Sequence, residues 1–216
     1  MSPLRKEVLY VAFDVEAAGD KLEVHSTLSV GACAVSRSKL ACKEYFEKGL
    51  VFYAELKPAS LRYVEAAMRV GCLHLECLEK LRVHDPQFDP KHAQFDPLAV
   101  LGHMQTACES PDAAAERFET WLKKVAGNKV VIPVTDTVFF DSPHVSAWIG
   151  ASGVPGSLLG YSGRDLKSMY QGYTGRKNAR LKELRVDKNE QPHKADADAV
   201  ELAQKTNLLV YEKLGW

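Results

Sequence analysis

Two carboxylates, Asp14 and Glu16, stand two residues apart at the end of the apolar run Val8–Phe13. The run is continuous rather than alternating, which is typical of a strand buried on both faces. Side chains two apart in a strand project from the same face, so both acids point into one space. Like charges held close together raise each other's pKa, and a divalent cation with oxygen ligands would offset that cost. Taken alone, the pair is better explained by two acids that face solvent at a strand end.

Two further segments place acids on faces that the apolar pattern predicts to point inward. Asp141 follows the second apolar run, 130–140, and Asp198 lies in the C-terminal helical pattern, each on a stripe with apolar residues. An acid on such a stripe is expected to be paired or to coordinate a ligand. His193 comes between Pro192 and the C-terminal helix, at a loop position that can move. Acids from three segments and a mobile histidine form a constellation that can do chemistry.

The order of these residues carries a family resemblance. Asp14-Val15-Glu16, Phe140-Asp141 and His193-x-Ala195-x-x-Asp198-Ala199 resemble the three exonuclease motifs of the DEDDh 3′–5′ exonucleases. They occur in the family's order, and the similarity spans residues 8–203. The segment 28–32 resembles the family's second strand, and Gly19 matches the glycine that follows the first motif. The motifs are short, so the ordered set of five functional positions carries the resemblance.

The resemblance implies an RNase H-like α/β fold, with a mixed central sheet flanked by helices. It also implies a metal-dependent enzyme that releases nucleoside 5′-monophosphates from the 3′ end of single-stranded or short nucleic acid, either RNA or DNA. Asp14, Glu16, Asp141 and Asp198 would then hold two Mg²⁺ or Mn²⁺ ions. His193 would act as the general base, since histidine side chains exchange protons near neutral pH.

The second motif contains two acids five residues apart. Asp136 stands where many members of the family carry Asn, and Asp141 follows Phe140 and begins the inward stripe. On a continuing helix five residues span about 500°, so the two acids are not expected to face the same metal pair. We therefore expect Asp141 to be the ligand and Asp136, at the strand end, to cap the next helix.

The candidate substrate-binding residues are Ala17, Arg164 and Lys194. Ala17 and Ala18 stand where the family usually has Thr or Ser, a difference at the position that holds the terminal sugar. Arg164 begins a stretch that carries eight basic residues up to Lys188 and could guide a polyanion toward His193, although a solvated helix face is equally compatible. Three tyrosines interleave with this stretch as candidates to stack on bases, while packing is the stronger interpretation for at least two of them: Tyr161, Tyr170 and Tyr173.

Two other classes of protein fit the pattern. A binding module could retain the fold without activity, but it has no use for acids on inward faces. Another two-metal phosphodiesterase on the same fold, such as an endonuclease, would use similar acids. The placement of His193 five residues before Asp198 favours the exonuclease.

Composition narrows the class of protein. The chain has 216 residues, 46% of them hydrophobic, and a formal net charge of zero, which favours one globular domain over residues 1–216. Zero net charge argues against a protein that coats duplex DNA through many phosphate contacts. The sequence has no run long enough to span a bilayer and no signal-peptide core, so we expect an intracellular protein, cytoplasmic or nuclear, that does not bind membranes. A homodimer is compatible with the sequence.

Strands are expected at 8–14, 26–36, 51–57 and 129–135, and helices at 111–126, 139–149, 163–171 and 195–214. Three strands, helices and then another strand predict the mixed sheet named above. Residues 83–98 contain three Asp-Pro pairs and are expected to be a long loop, within a loop insertion around 83–110. Cys72, His74 and Cys77 fit no zinc-finger spacing, and the odd number of cysteines is typical of reduced thiols.

Overall fold

The computed structural model describes residues 7–153, 159–160 and 162–216. A five-stranded sheet has the order β3-β2-β1-β4-β5. Its strands are β1 (Val8–Ala17), β2 (Thr27–Ala34), β3 (Val51–Glu55), β4 (Val130–Thr135) and β5 (Arg164–Asp165). The pairs β1–β2 and β2–β3 are antiparallel, whereas β1–β4 and β4–β5 are parallel. The mixed sheet flanked by helices that the sequence predicts is therefore confirmed.

Eight α-helices accompany the sheet within the described ranges. They are α1 (Cys42–Glu47), α2 (Glu65–Gly71), α3 (Leu81–His84), α4 (Pro97–Ala107), α5 (Pro111–Ala126), α6 (Asp141–Ala151), α7 (Leu166–Thr174) and α8 (Ala195–Asn207). Short 3₁₀ turns lie at Glu76–Leu78, Pro86–Phe88 and Leu181–Glu183, and a π-helical segment, Leu208–Lys213, follows α8. In this part of the chain no helix is both long and apolar enough to cross a membrane.

The two faces of β1 serve different cores. Its odd-numbered apolar residues, from Leu9 to Val15, pack with Phe118 of α5 and Trp148 of α6. Tyr10 and Ala12 face the other way, into the cluster that contains α7 and α8. Since strand side chains alternate, Asp14 and Glu16 continue the face that is covered by α8. The sheet thus directs both carboxylates toward the helix that carries Asp198.

A glycine sets how closely α8 approaches the sheet. Gly31 of β2 pairs with Asp14 of β1, in the middle of the sheet. A Cβ atom at Gly31 would lie 2.0 Å from the carbonyl oxygen of Ala195, the first residue of α8. No other residue type fits without moving the helix, because real Cβ atoms do not approach backbone atoms that closely. The missing side chain therefore lets the start of α8 rest on the sheet.

The segment from α2 to α4 forms a third cluster, with Met68, Leu75 and Leu101 buried against Leu28. The predicted loop insertion around 83–110 is wrong in its secondary structure, because the segment contains the eleven-residue helix α4. Asp96 accepts a hydrogen bond from the backbone N–H of Leu98 and caps that helix, with Pro97 in its first turn. An Asp-Pro pair that resembles a loop signal is here a helix start, since proline suits the first turn of a helix.

Other boundaries differ by a few residues. The helix expected at 163–171 begins at Leu166, after the short strand β5, and the helix expected at 139–149 begins at Asp141. The last helix is α-helical only to Asn207. Helix α5 follows its sequence signals, since Ser110 accepts from the N–H of Ala113 at 3.2 Å and Gly127 ends the helix with a φ of +56°.

Candidate active site

The carboxylates of β1 lie at the base of a cleft beside α8. Asp14 is half-buried, and only 12% of the Glu16 side chain is exposed. Burial raises the pKa of Asp14 well above its usual value, and the neighbouring charges of Asp198, Glu16 and Asp141 raise it further. Burial, followed by Asp198 and Asp141, raises the pKa of Glu16 to about 8. These acids are costly to ionise together without a compensating cation.

Asp141 occupies the first position of α6 and is only 4% exposed. Burial raises its pKa to about 7, while hydrogen bonds from backbone N–H groups lower it. One of these donors is the N–H of Thr137, 3.4 Å from Oδ2. A carboxylate suits this position because unpaired N–H groups and the positive end of the helix dipole lie at a helix N-terminus. The helix start therefore positions the buried acid of the second motif.

Asp198 lies in the first turn of α8 and is fixed by two donors. The backbone N–H of His193 donates to its Oδ2 at 2.8 Å, and the side-chain amide of Asn189 donates to its Oδ1. Burial raises the pKa of Asp198 to about 6, against the lowering effect of the His193 N–H. The same carboxylate thus faces the cleft and ties down the turn that carries the histidine.

His193 stands in the turn just before α8 and has a φ of +68°, the only positive φ of a non-glycine residue in the described ranges. Such a conformation is uncommon and persists where the surroundings over-determine it. Here its N–H is held by Asp198, while 52% of its side chain stays exposed. Its Nδ1 lies 4.0 Å from Oε1 of Glu16. Helix α8 starts at Ala195 rather than at Pro192, so the histidine lies outside the helix, as expected.

The cleft has a volume of about 510 Å³ and contains all five motif residues predicted from the sequence: Asp14, Glu16, Asp141, His193 and Asp198. One ligand atom each of Glu16, His193 and Asp198 lies within 4.8 Å of the other two. A set of four carboxylates offers hard oxygen ligands; burial raises the pKa of all four, and repulsion from the other motif acids adds to the shift of Asp14 and Glu16. The donor set therefore fits magnesium or manganese.

The cleft also contains three charged residues that the motif analysis did not assign to it: Asp136, Glu201 and Lys205. Asp136 lines the cleft together with Asp141, because residues 136–140 form bends and turns rather than the continuing helix on which the separation of the two acids was expected. Asp136 is exposed at the mouth of the cleft, and α6 has no side-chain cap, so Asp136 does not cap it. Glu201 and Lys205 follow Asp198 by three and seven residues. This helical spacing could have predicted that they lie on the same face of α8 as Asp198.

The three candidate substrate-binding residues do not line the cleft. Ala17 is buried at the end of β1, and Arg164 is half-buried in β5. Lys194 precedes α8, where its Nζ lies 3.0 Å from Glu76 and 3.5 Å from Asp196. Of the tyrosines, Tyr170 is buried and Tyr173 is 47% exposed, whereas Tyr161 lies outside the described residues.

No family model and no curated protein sequence matches this chain. Several solved structures, in contrast, match it in fold. The nuclease domain of 3′hExo, a DEDDh family member bound to rAMP, superposes with a TM-score of 0.64 at 13% identity, covering 98% of this chain and 95% of that domain. The chain shares the fold of that nuclease domain. The zinc-bound form of the E. coli exonuclease I–ssDNA complex superposes with a TM-score of 0.61 at 13% identity. That match covers 97% of this chain and 42% of that chain. E. coli exonuclease I in complex with a dT13 oligonucleotide superposes with a TM-score of 0.60 at 12% identity. That match covers 96% of this chain and 42% of exonuclease I. This chain therefore spans about two fifths of exonuclease I.

Proposed function

We propose that this protein is a metal-dependent 3′–5′ exonuclease that releases nucleoside 5′-monophosphates from the 3′ end of single-stranded or short nucleic acid. One observation carries the proposal. Acids from β1, α6 and α8 meet in one cleft, and the histidine of the turn before α8 lies 4.0 Å from Glu16. The fold shared with a DEDDh nuclease domain supports the same chemistry.

Asp14, Glu16, Asp141 and Asp198 would hold two Mg²⁺ or Mn²⁺ ions. Bound there, the ions would supply positive charge for the phosphate and Lewis acidity for hydrolysis. The formal net charge of the chain is zero, and the acids themselves would repel a phosphodiester, so the site depends on that charge. The buried position of Asp141 and the exposed position of Asp136 support Asp141 as the ligand.

His193 would take the proton of the attacking water. In that step the water oxygen bonds to the terminal phosphorus, the bond from phosphorus to the 3′ oxygen of the preceding nucleotide breaks, and that oxygen gains a proton from solvent. The backbone of His193 is fixed by Asp198, but its imidazole is exposed and free to approach the substrate. This arrangement fits a general base, which needs a defined position and access to the reacting water.

The volume of the cleft and the aromatic residues at its edge support the entry of a single terminal nucleotide. A cavity of about 510 Å³ has the size of sites that enclose one small molecule. Phe140 lines it, and the adjacent Phe139 is 94% exposed. Exposed aromatic rings beside nucleic-acid sites stack on bases of any sequence. We assign Phe139 this role for a base at the 3′ end.

The test is degradation of 5′-labelled RNA and DNA oligonucleotides, single- and double-stranded, with Mg²⁺, with Mn²⁺ and with excess chelator. We expect ladders that shorten by one nucleotide from the 3′ end, release of 5′-monophosphates, and no activity in chelator. Asp14→Asn should be inactive, while Glu116→Gln, which changes an exposed acid on α5, should act like the wild type.

Each alternative has its own outcome in this assay. Internal cuts would identify another two-metal phosphodiesterase, and binding without degradation in any metal would identify a binding module. Full activity in excess chelator would refute the metal-dependent mechanism outright.

A further inference from the structure

A second group of ligand atoms lies outside the cleft. Glu55, Cys77 and Cys108 each present one ligand atom within 4.8 Å of the other two. Glu55 and Cys77 are half-buried and Cys108 is 8% exposed. None of the three lines the acidic cleft. Two thiols and a carboxylate, contributed by three separate segments, therefore meet at one point of the fold.

The backbone around the group is well fixed. Glu55 ends β3, Cys77 lies in the 3₁₀ turn 76–78, and Cys108 follows the last residue of α4. The N–H of Cys77 donates to Oε2 of Glu55 at 3.0 Å. Glu109, which follows Cys108, donates its N–H to the carbonyl oxygen of Glu55 at 3.1 Å. Its own carbonyl oxygen accepts from the N–H of Lys57 at 2.8 Å. Hydrogen bonds thus fix the backbone around all three ligands, and the Glu55 carboxylate also accepts from the Tyr53 hydroxyl and from the N–H of Glu76.

The surroundings of Cys77 differ from those of a reactive thiol. A hydrogen bond with the Cys108 thiol, then burial and the Glu55 carboxylate, raise the pKa of Cys77. Reactive cysteines have the opposite surroundings, near positive groups that stabilise the thiolate. A thiophilic divalent cation would displace the thiol protons and compensate the carboxylate, because metal binding to cysteine releases protons.

We propose that Glu55, Cys77 and Cys108 form a zinc-binding site, with a water molecule in the fourth position. Thiolates together with a carboxylate are ligands that zinc accepts, whereas magnesium and manganese prefer oxygen alone. Zinc lies about 2.3 Å from sulfur and about 2.0–2.2 Å from carboxylate oxygen, so ligand atoms around it are spaced by less than about 4 Å. The observed limit of 4.8 Å requires only a small inward movement of the side chains.

The site would fasten the segment from α2 to α4 onto strand β3. Cys77 is adjacent to Glu76, whose carboxylate lies 3.0 Å from Nζ of Lys194. Lys194 in turn follows His193. Zinc would therefore also steady the contact that supports the histidine turn, and this structural role does not depend on the proposed function.

Cobalt(II) titration of the metal-free, reduced protein tests the proposal, because only thiolate ligands give the intense near-ultraviolet sulfur-to-cobalt band. The acidic cleft can bind cobalt but cannot produce that band. We expect one equivalent of thiolate-bound cobalt, displaced by one equivalent of zinc. Cys77→Ser and Cys108→Ser should lose the band, while Cys42→Ser, a half-buried cysteine on α1, should keep it.

A measurement on the wild type covers the case in which a serine variant fails to fold. Zinc should protect Cys77 from alkylation, while the alkylation of Cys42 stays unchanged. Cobalt binding without the sulfur band, equal alkylation of Cys77 with and without zinc, or a Cys77–Cys108 disulfide in the zinc-treated protein would each overturn the site. Nuclease assays in magnesium remain a separate measurement, so failure of one proposal does not imply failure of the other.

Discussion

The raised pKa of Glu16 predicts how the stability of the metal-free protein depends on pH. That pKa lies at about 8 in the folded protein, against 4.5 for an ordinary glutamate. Between about pH 4.5 and pH 7 the unfolded chain loses this proton while the folded protein retains it. The folded state therefore loses about 1.4 kcal/mol for each pH unit, or about 3 kcal/mol over that window. The stabilisation is complete below the unfolded pKa and is lost as pH rises toward the folded value.

Glu16→Gln removes this titration and should flatten the curve. We expect the free energy of unfolding of the metal-free variant to fall by about 3 kcal/mol less than that of the wild type between pH 4.5 and pH 7. Asp14, Asp141 and Asp198 are present in both proteins, so the effect of their own burial cancels, whereas their repulsion with Glu16 is part of the measured difference. Urea unfolding in chelator, followed by tryptophan fluorescence, measures the difference. Parallel curves for the two proteins would refute the burial and repulsion assigned to Glu16.

Three further predictions test the placement of the site. His193→Ala should lower turnover by roughly 10²–10⁴-fold while calorimetry shows nearly unchanged metal binding; wild-type rates across neutral pH would exclude it as the base. Asp141→Asn should abolish turnover without lowering the melting temperature of the metal-free protein, whereas Asp136→Asn should keep substantial activity; the reverse pattern would move the ligand by five residues. Gly31→Ala should cost about 1–3 kcal/mol in chemical unfolding and lower activity, because its Cβ meets the backbone at the start of α8. Gly102→Ala is the matched control, because Gly102 lies in a helix with open space around it, and it should not destabilise the protein. Equal effects of the two substitutions would show that Gly31 does not set the distance between α8 and the sheet.

The sequence predicted the parts of the site that rest on local patterns. The apolar run before Asp14 predicted a buried strand, and alternation placed Asp14 and Glu16 on one face. The inward stripe predicted the burial of Asp141. These inferences work because strand and helix periodicities fix the direction of a side chain within its own element. The fold followed from the same elements in their order.

What the sequence did not predict depends on contacts between distant segments. Asp136 enters the cleft because a turn replaces the first part of the expected helix, and Lys194 is engaged by Glu76, which lies 118 residues away in the chain. Cys77 and Cys108 meet because α4 contacts the 3₁₀ turn 76–78 and because Glu109, which follows Cys108, pairs with the end of β3. No spacing rule encodes such a meeting, since it arises from the packing of the segment between them.

Strand β1 joins chemistry and core without an intervening loop. Phe13 and Val15 belong to the aromatic cluster on one side, and Asp14 and Glu16 to the cleft on the other. Any repacking around Phe13 would therefore be transmitted to the carboxylates by the rigid backbone between them. In directed evolution, we expect substitutions at Phe52 and Phe118, which touch this cluster from β3 and α5, to alter catalysis as often as stability. In enzymes whose catalytic residues lie on surface loops, the loops accommodate such changes. Here Asp14 and Glu16 lie on the strand itself.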